Sequence, residues 1–144
     1  MECATALMMG HKGKRPFHPI ITTQEKLVMK KAQPYLRFLE LASTINRSSA
    51  WMVLHPVEQK MLEFVALAEY QERELPVKDL TSLHELGSPA MLHARVHELR
   101  EKGWIELQAA DDARRKHVRL SRSALKHFSR LGECVERALR KQAA

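Results

Sequence analysis

The chain has 144 residues, about the length of one domain, and 44% of them are hydrophobic, which excludes wholesale disorder. Its 24 lysines and arginines exceed its 17 acidic residues and give a net charge of +7, so the charge favours a polyanionic partner. Two cysteines, Cys3 and Cys134, are too few for a disulfide framework or a four-cysteine zinc site.

The N-terminal sequence predicts neither export nor membrane insertion. Glu2 places an acid ahead of the first apolar run, and the first cations follow that run, which is the reverse of a signal peptide. No stretch reaches the ~20 apolar residues that a membrane-spanning helix needs. We therefore expect a cytoplasmic protein that has no contact with a membrane.

Two regions precede the most patterned part of the chain. Residues 1–21 contain four helix breakers and are predicted to form a flexible tail, whose basic run 11–15 is interpreted as solvated rather than as a groove-binding arm. A helical pattern then runs from Thr22 to Asn46, within an N-terminal helical region over residues 22–54. Pro34 lies inside this pattern and predicts a bend or a break into two shorter helices.

A third helix is predicted to begin near His55 and to extend to Tyr70. Proline suits the first helical position, where its missing N–H costs nothing, and Pro56 stands there. An apolar stripe follows at helical spacing, formed by Val57, Met61, Leu62, Val65 and Ala68.

A helix-turn-helix is predicted after this helix. Lys78–Leu86 reads as a short helix that ends at Gly87, and Ser88–Lys102 reads as a second helix, the recognition candidate. Ser88 followed by proline is a strong start signal, and a lysine before Gly103 is a strong stop. The segment 74–77 is too short for an independent strand but could pair with a later hairpin as a third strand.

Two short strand patterns, 104–107 and 117–120, flank a basic loop and predict a β-hairpin wing whose tip lies within residues 108–117. Ser121 is predicted to cap a last helix in the region 121–144, with one apolar face formed by Leu125, Phe128, Leu131, Val135 and Leu139. Trp51 and Trp104 are expected in the core. The predicted fold class is mainly α with a small antiparallel β-hairpin wing.

The positive charge of the chain is concentrated around the hairpin and after it. Residues 56–75 hold two cations against five anions, whereas residues 111–130 hold seven cations against two anions. A basic loop that follows a helix-turn-helix is the layout that places a helix in one DNA groove and charges along the neighbouring backbone. These patterns predict a DNA-binding protein.

The segment from His55 to Leu125 resembles the winged-helix domain of the MarR family of bacterial transcriptional regulators. The resemblance rests on four stretches of the sequence: HPVE at 55–58, LPVKDL at 75–80, VHELREKGWI at 96–105 and DDARRKHVRLS at 111–121. It implies a winged helix-turn-helix over residues 55–120. It also implies a homodimeric DNA-binding transcriptional regulator that is joined through its terminal helices, here Thr22–Asn46 and Ser121–Gln142.

Such a homodimer is expected to insert two recognition helices into successive major grooves of double-stranded DNA about 34–36 Å apart, which predicts a palindromic site. Two features depart from the family pattern. The recognition helix begins with few side chains that can hydrogen-bond bases, so we expect readout through DNA shape and thymine methyl groups. Only one helix follows the wing, where the family usually has two. The family often responds to small phenolic molecules, but the sequence identifies no effector and implies no cofactor.

The candidate DNA-binding residues lie in the recognition helix, over 88–102, and at the wing tip. In the helix they are Ser88, Pro89, Ala90, Met91, His93 and Arg95, and in the wing they are Arg114, Arg115 and Lys116. For the wing the alternative is a solvated hairpin tip. Separately, Asp111 or Asp112 could brace the arginines through ion pairs. For His93 and Arg95 the alternative is plain solvent exposure, or for Arg95 coverage of the core by its stem.

Several other functions were weighed against DNA binding. His93 and His97 stand four residues apart and could supply half a metal site, but the spacing alone is a weak signal and no metal is predicted. Cys134 is interpreted as a buried helix residue at the dimer contact rather than a redox sensor. The sequence shows no catalytic constellation, so no enzyme is predicted. The main alternative is a winged helix that binds a larger regulatory protein, favoured by exposed Ala90 and Met91.

Overall fold

The computed structural model describes residues 22–112 and 114–140 of the chain. The predicted tail over residues 1–21 and residues 141–144 of the predicted C-terminal region lie outside the described residues. The chain divides into two units, Met1–Ala32 and Gln33–Ala144. The boundary between them falls inside the first helix. The second unit holds every element after that helix.

The described residues form five α-helices, one short 3₁₀ turn and one two-stranded antiparallel sheet. The helices are α1 (Thr23–Arg47), α2 (Pro56–Tyr70), α3 (Val77–Thr81), α4 (Pro89–Glu101) and α5 (Arg122–Arg140), the strands are β1 (Ile105–Ala109) and β2 (Lys116–Leu120), and the 3₁₀ turn is Ala50–Val53. The predicted fold class, mainly helical with a hairpin wing, is confirmed.

The predicted break at Pro34 is absent, because α1 is a single helix of 25 residues that contains this proline. Proline removes one backbone N–H donor, but the hydrogen bonds of the adjacent turns continue on both sides of it. Ser43 and Thr44 both donate their hydroxyls to the carbonyl of Glu40, which adds side-chain bonds to the second half of the helix. The expectation of two shorter helices was therefore wrong.

The start of α2 is fixed by a reciprocal cap around His55. The N–H of Val57 donates to Nδ1 of His55 over 3.2 Å, and the N–H of His55 donates to Oε2 of Glu58 over 2.8 Å. Pro56 occupies the first helical position, as predicted. This cap consumes two of the amide donors that a helix N-terminus leaves unpaired.

The helix predicted over Lys78–Leu86 is shorter than expected, because α3 ends at Thr81. The hydroxyl of Ser82 donates to the carbonyl of Lys78 over 2.6 Å, and the hydroxyl of Thr81 donates to the same carbonyl over 3.1 Å. Hydroxyl bonds of this kind also occur inside α1, and α3 ends where the N–H of Ser82 donates to the carbonyl of Asp79, three residues back, over 3.2 Å. The residues up to Gly87 form turns instead.

Helix α4 begins and ends where the sequence predicted. Ser88 caps its start by accepting the N–H of Met91 over 3.3 Å. Gly103 ends it with a φ of +77°, a conformation that glycine adopts without strain. The N–H of Trp104 bonds the carbonyl of Leu99 over 2.9 Å, which completes a Schellman motif and directs the chain into β1.

The hairpin pairs Ile105 with Leu120 at its base and Ala109 with Lys116 near its tip. The predicted third strand is reduced to one bridge, in which the N–H of Val118 donates to the carbonyl of Leu75 over 2.8 Å. The carboxylate of Glu69 in α2 accepts the N–H of Leu120 over 2.7 Å. These bonds attach the wing to the helical part of the fold.

The core lies between α2, α4, the hairpin base and the start of α5. It contains both tryptophans as predicted, together with a leucine-rich interior that includes Leu62, Leu80, Leu92 and Leu99. Trp51 stacks on the ring of His127 with centroids 4.5 Å apart, and Trp104 meets the same imidazole edge-on at 5.6 Å. His127 of α5 therefore lies in an aromatic cluster whose members come from three separate segments.

Acid is expected to destabilise the protein through His127. Burial, and after it the positive charge of Arg130, lower the pKa of this imidazole below its ordinary value of 6.5. The unfolded chain therefore binds the proton more readily, and the free energy of unfolding falls as the pH drops below about 6.5, by at most ~1.4 kcal/mol per pH unit. Urea unfolding between about pH 7.5 and pH 5.5 measures this loss.

The control for this prediction is His127→Phe, which keeps an aromatic ring against Trp51 and removes the titrating group. Its loss of stability over the same pH range should be smaller than that of the unchanged protein. Equal losses in the two proteins would assign the acid sensitivity to other groups.

Candidate nucleic-acid interface

Helix α4 presents one exposed face along its length. Ala90, His93, Ala94 and His97 recur at helical spacing and are all exposed, whereas Leu92, Val96 and Leu99 point into the core. Ser88 and Pro89 are exposed at the N-terminal end of this helix. The predicted residues at the start of the recognition helix thus lie on an accessible end.

His97 belongs to the same exposed face but was considered in the sequence only as a metal ligand. Its Nδ1 lies 3.5 Å from Oε1 of Glu101, and both side chains are well exposed. The helical period that places His93 toward solvent also places His97 there, so periodicity alone could have identified it as a candidate contact. No group of three or more metal-ligating side chains occurs within 22–112 and 114–140.

Met91 differs from its predicted exposure. It is half-buried and packs against the core, and its terminal methyl occupies the space into which a side chain at Gly87 would project. The φ of Gly87 is +152°, so both its backbone and its neighbour favour glycine at this position. Of the two apolar residues expected on the surface of α4, only Ala90 is fully exposed.

Arg95 is held by acids rather than projecting freely. Its Nη1 donates to Oε2 of Glu98 over 2.7 Å and lies 3.9 Å from Oε1 of Glu58. Its side chain is 24% exposed, as expected if the stem covers part of the core.

The wing tip is a tight turn with exposed cations. The N–H of Arg115 donates to the carbonyl of Asp112 over 2.8 Å, and the N–H of Ala110 donates to the carbonyl of Arg115 over 3.0 Å. Oδ1 of Asp112 accepts the backbone N–H of Arg114 over 3.2 Å. This carboxylate thus shapes the turn through the backbone, whereas the sequence suggested that it would brace a guanidinium. Arg114, Arg115 and Lys116 are all exposed.

Further along the wing, Arg119 and His117 lie near acidic side chains of α2 and of the segment after it. Nε of Arg119 lies 3.5 Å from Oε1 of Glu69, and Nδ1 of His117 lies 3.6 Å from Oε2 of Glu74. Arg119 near the base of the wing thus pairs with an acid of the same chain, while the three cations at the tip are exposed.

Helices α1 and α5 each expose apolar side chains. On α5 the exposed residues lie on the predicted apolar face, where Val135 is 44% exposed and Leu139 is 56% exposed. On α1, Tyr35, Leu36 and Leu39 are also exposed. Cys134 is buried, as predicted. No helix among residues 22–112 and 114–140 is long and apolar enough to cross a membrane.

A search of known proteins finds similarity in structure but none in sequence. No protein-family model matches the sequence, and no curated protein sequence matches it. The fold is similar to that of S. aureus MepR bound to ethidium bromide, with a TM-score of 0.60 and 14% identity, over 85% of this chain and 81% of MepR.

Two further solved structures support the same fold. One is a variant of S. aureus MepR bound to an oligodeoxyribonucleotide, with a TM-score of 0.57 and 15% identity, over 85% of this chain and 83% of the other. The second is the transcriptional regulator Tm0710 from Thermotoga maritima, with a TM-score of 0.56 and 13% identity, over 83% of this chain and 78% of Tm0710. The chain therefore has the winged-helix fold of the MarR-family regulators.

Proposed function

We propose that this chain, which has the fold of the MarR-family regulators, is a DNA-binding transcriptional regulator and not an enzyme. The observation that carries the proposal is the combination of an exposed face on α4 with three exposed cations at the wing tip. The structure of a MepR variant with an oligodeoxyribonucleotide supports DNA as the partner of this fold. In the proposed complex α4 enters the major groove and the wing follows the adjacent backbone.

Each predicted contact residue has a place in this proposal. Ser88 and Pro89 bring the N-terminus of α4 toward the phosphates. Ala90, Met91 and His93 face or border the groove, where small apolar groups suit thymine methyls. Arg95 keeps most of its five N–H donors beyond the one that Glu98 takes, so it can also donate to a phosphate. Phosphate contacts by Arg114, Arg115 and Lys116 complete the interface.

The proposed regulator acts as a homodimer on a palindromic site. The exposed apolar residues on α1 and α5 support this part, because contact with a second copy would remove their apolar surface from water. Two copies joined through these helices would present two α4 helices to one duplex.

The test is selection of DNA by the full chain from a pool of random duplexes. The proposed function predicts enrichment of a palindromic sequence, which should bind more tightly than a scrambled duplex of equal length, by at least about 10³-fold near physiological salt. Fluorescence anisotropy of the two labelled duplexes measures the difference. Equal affinity for both would indicate a non-specific DNA-binding protein, and no binding at low salt would reject the proposal.

A second candidate function is a protein-interaction module that partners a larger regulator. A groove of about 700 Å³ favours it, because its lining residues on α2, β2 and α5 include the exposed Leu67 and Tyr70. If the chain is such a module, neither duplex should bind, even at low salt. If the chain is instead a DNA-binding regulator, the groove variant Leu67→Ser/Tyr70→Ser should bind DNA as tightly as the unchanged protein.

A further inference from the structure

A fully buried carboxylate joins the first turn of α2 to the end of α4. Both oxygens of Glu58 accept hydrogen bonds from Nζ of Lys102, each over 2.8 Å, and one of them also accepts the N–H of His55. Lys102 is the C-cap residue of α4 and stands 44 positions away in the chain. The bond therefore ties two separate helices together at their ends.

Two more charged residues close a ring around this contact. Glu98 bonds Nη1 of Arg95 over 2.7 Å and lies 3.9 Å from Nζ of Lys102, and Arg95 lies 3.9 Å from Glu58. Two acids thus alternate with two cations. Arg95 and Glu98 belong to α4 and Lys102 is its C-cap, so Glu58 is the one member supplied by another helix.

The ring keeps Glu58 ionised inside the protein. Burial acts to raise the pKa of this carboxyl group, but the hydrogen bonds donated by Nζ of Lys102 and by the backbone N–H of His55, with the positive charge of Lys102, outweigh it, and the net pKa is lowered. A buried ion pair adds little net stability, because desolvation offsets the attraction, but it enforces one geometry on its partners. The geometry enforced here is that of α4 and of the Arg95 guanidinium.

We propose that Glu58 is a positioning residue for DNA readout. Through Lys102 it fixes the angle at which α4 leaves the core, and through Arg95 it holds a guanidinium ready for a phosphate. This inference rests on the proposed function, because it assigns Glu58 a role in that same interface without contact to DNA. A helix fixed in angle can discriminate one base sequence from another only while its exposed residues keep their register in the groove.

The test is Glu58→Gln in the full chain. Glutamine keeps an oxygen that can accept the N–H of His55, so the cap of α2 survives, but the charge that holds Lys102 and Arg95 is lost. The net charge rises by one, so affinity for a scrambled duplex should increase, while affinity for the duplex that the unchanged protein enriches should fall. We expect the ratio of the two affinities to drop about tenfold, equal to ~1.4 kcal/mol.

The opposite signs of these two changes separate positioning from simple destabilisation, which would lower both affinities together. The matched control is Glu63→Gln, which removes the same charge from an exposed site on the same helix, where Glu63 pairs with Lys60. The control should leave the affinity ratio unchanged.

The double variant Glu58→Gln/Lys102→Gln keeps the proposal testable if the single variant fails to fold, since it leaves no unpaired charge at this contact. It should show the same loss of discrimination. An unchanged affinity ratio in a folded variant would overturn the assignment of Glu58. Failure of the unchanged protein to enrich any duplex would instead overturn the proposed function itself.

Discussion

Replacing Arg114 and Arg115 together with alanine is expected to weaken DNA binding roughly 50-fold per protomer at about 0.1 M salt, because each phosphate contact releases counterions. Both side chains are exposed at the tip of the wing, away from the ion pair that Arg119 forms at its base. The slope of log affinity against log salt should flatten by about two units per protomer. Anisotropy of one labelled duplex across a salt series gives both quantities.

The control for the wing variant is Lys30→Ala/Lys31→Ala, which removes two exposed cations from α1 and changes the net charge equally. If the wing contacts phosphates directly, this control should keep nearly the full salt slope. Similar losses from both variants would mean that net charge alone, and not the wing, determines binding.

The sequence predicted best those elements whose ends are marked by local chemistry. Helix α2 begins at Pro56, and α4 begins after Ser88 and ends before Gly103. Each of these residues meets a requirement of a helix terminus that depends on only a few neighbouring residues. The hairpin followed in the same way from two strand patterns around a basic loop. Local signals suffice for these elements because the hydrogen bonds that define them are local.

The sequence-based errors arose at two points, where a helix ended before its apolar pattern did and where a helix continued through a proline. Helix α3 ends where the N–H of Ser82 bonds the carbonyl of Asp79, three residues back, which a count of apolar periods does not register. Pro34 is tolerated inside α1 because the flanking turns continue without its N–H. At Ser82 a single turn closes the helix despite the apolar pattern beyond it, whereas at Pro34 the helix continues despite the loss of one hydrogen bond.

The charge ring on α4 could not be foreseen because its members meet only in the folded chain. Glu58 sits in an otherwise apolar stripe of α2, and its lysine partner is 44 residues distant. His55 is an unusual capping residue, so the capping box that exposes the role of this glutamate was hidden as well. Ion pairs between distant residues can be predicted only when the packing of the helices is known. Here the sequence indicated that packing only through the resemblance of the wing and the recognition segment to the MarR family.

Replacing Val135 and Leu139 of α5 together with aspartate is expected to convert the proposed homodimer into a monomer. Both side chains are exposed in the single chain, and burying a carboxylate between two copies without a partner is strongly unfavourable. A monomer loses the second DNA contact, so affinity for a palindromic duplex should fall by at least about 10²-fold. Sedimentation equilibrium and anisotropy on the same samples measure the two effects.

The matched control is Lys126→Gln/Arg137→Gln, which changes the net charge by the same two units on another exposed face of α5. It should remain a dimer, and its DNA affinity should fall only by the small amount expected from removing two positive charges that do not contact DNA. If the unchanged protein is a monomer, the homodimer is rejected.

If the aspartate variant is still a dimer, the interface does not lie on α5, and the exposed residues of α1 would join the two copies. Measuring the oligomeric state and the DNA affinity on the same samples therefore tests the interface, because only a dimer interface on α5 predicts that the aspartate variant loses both.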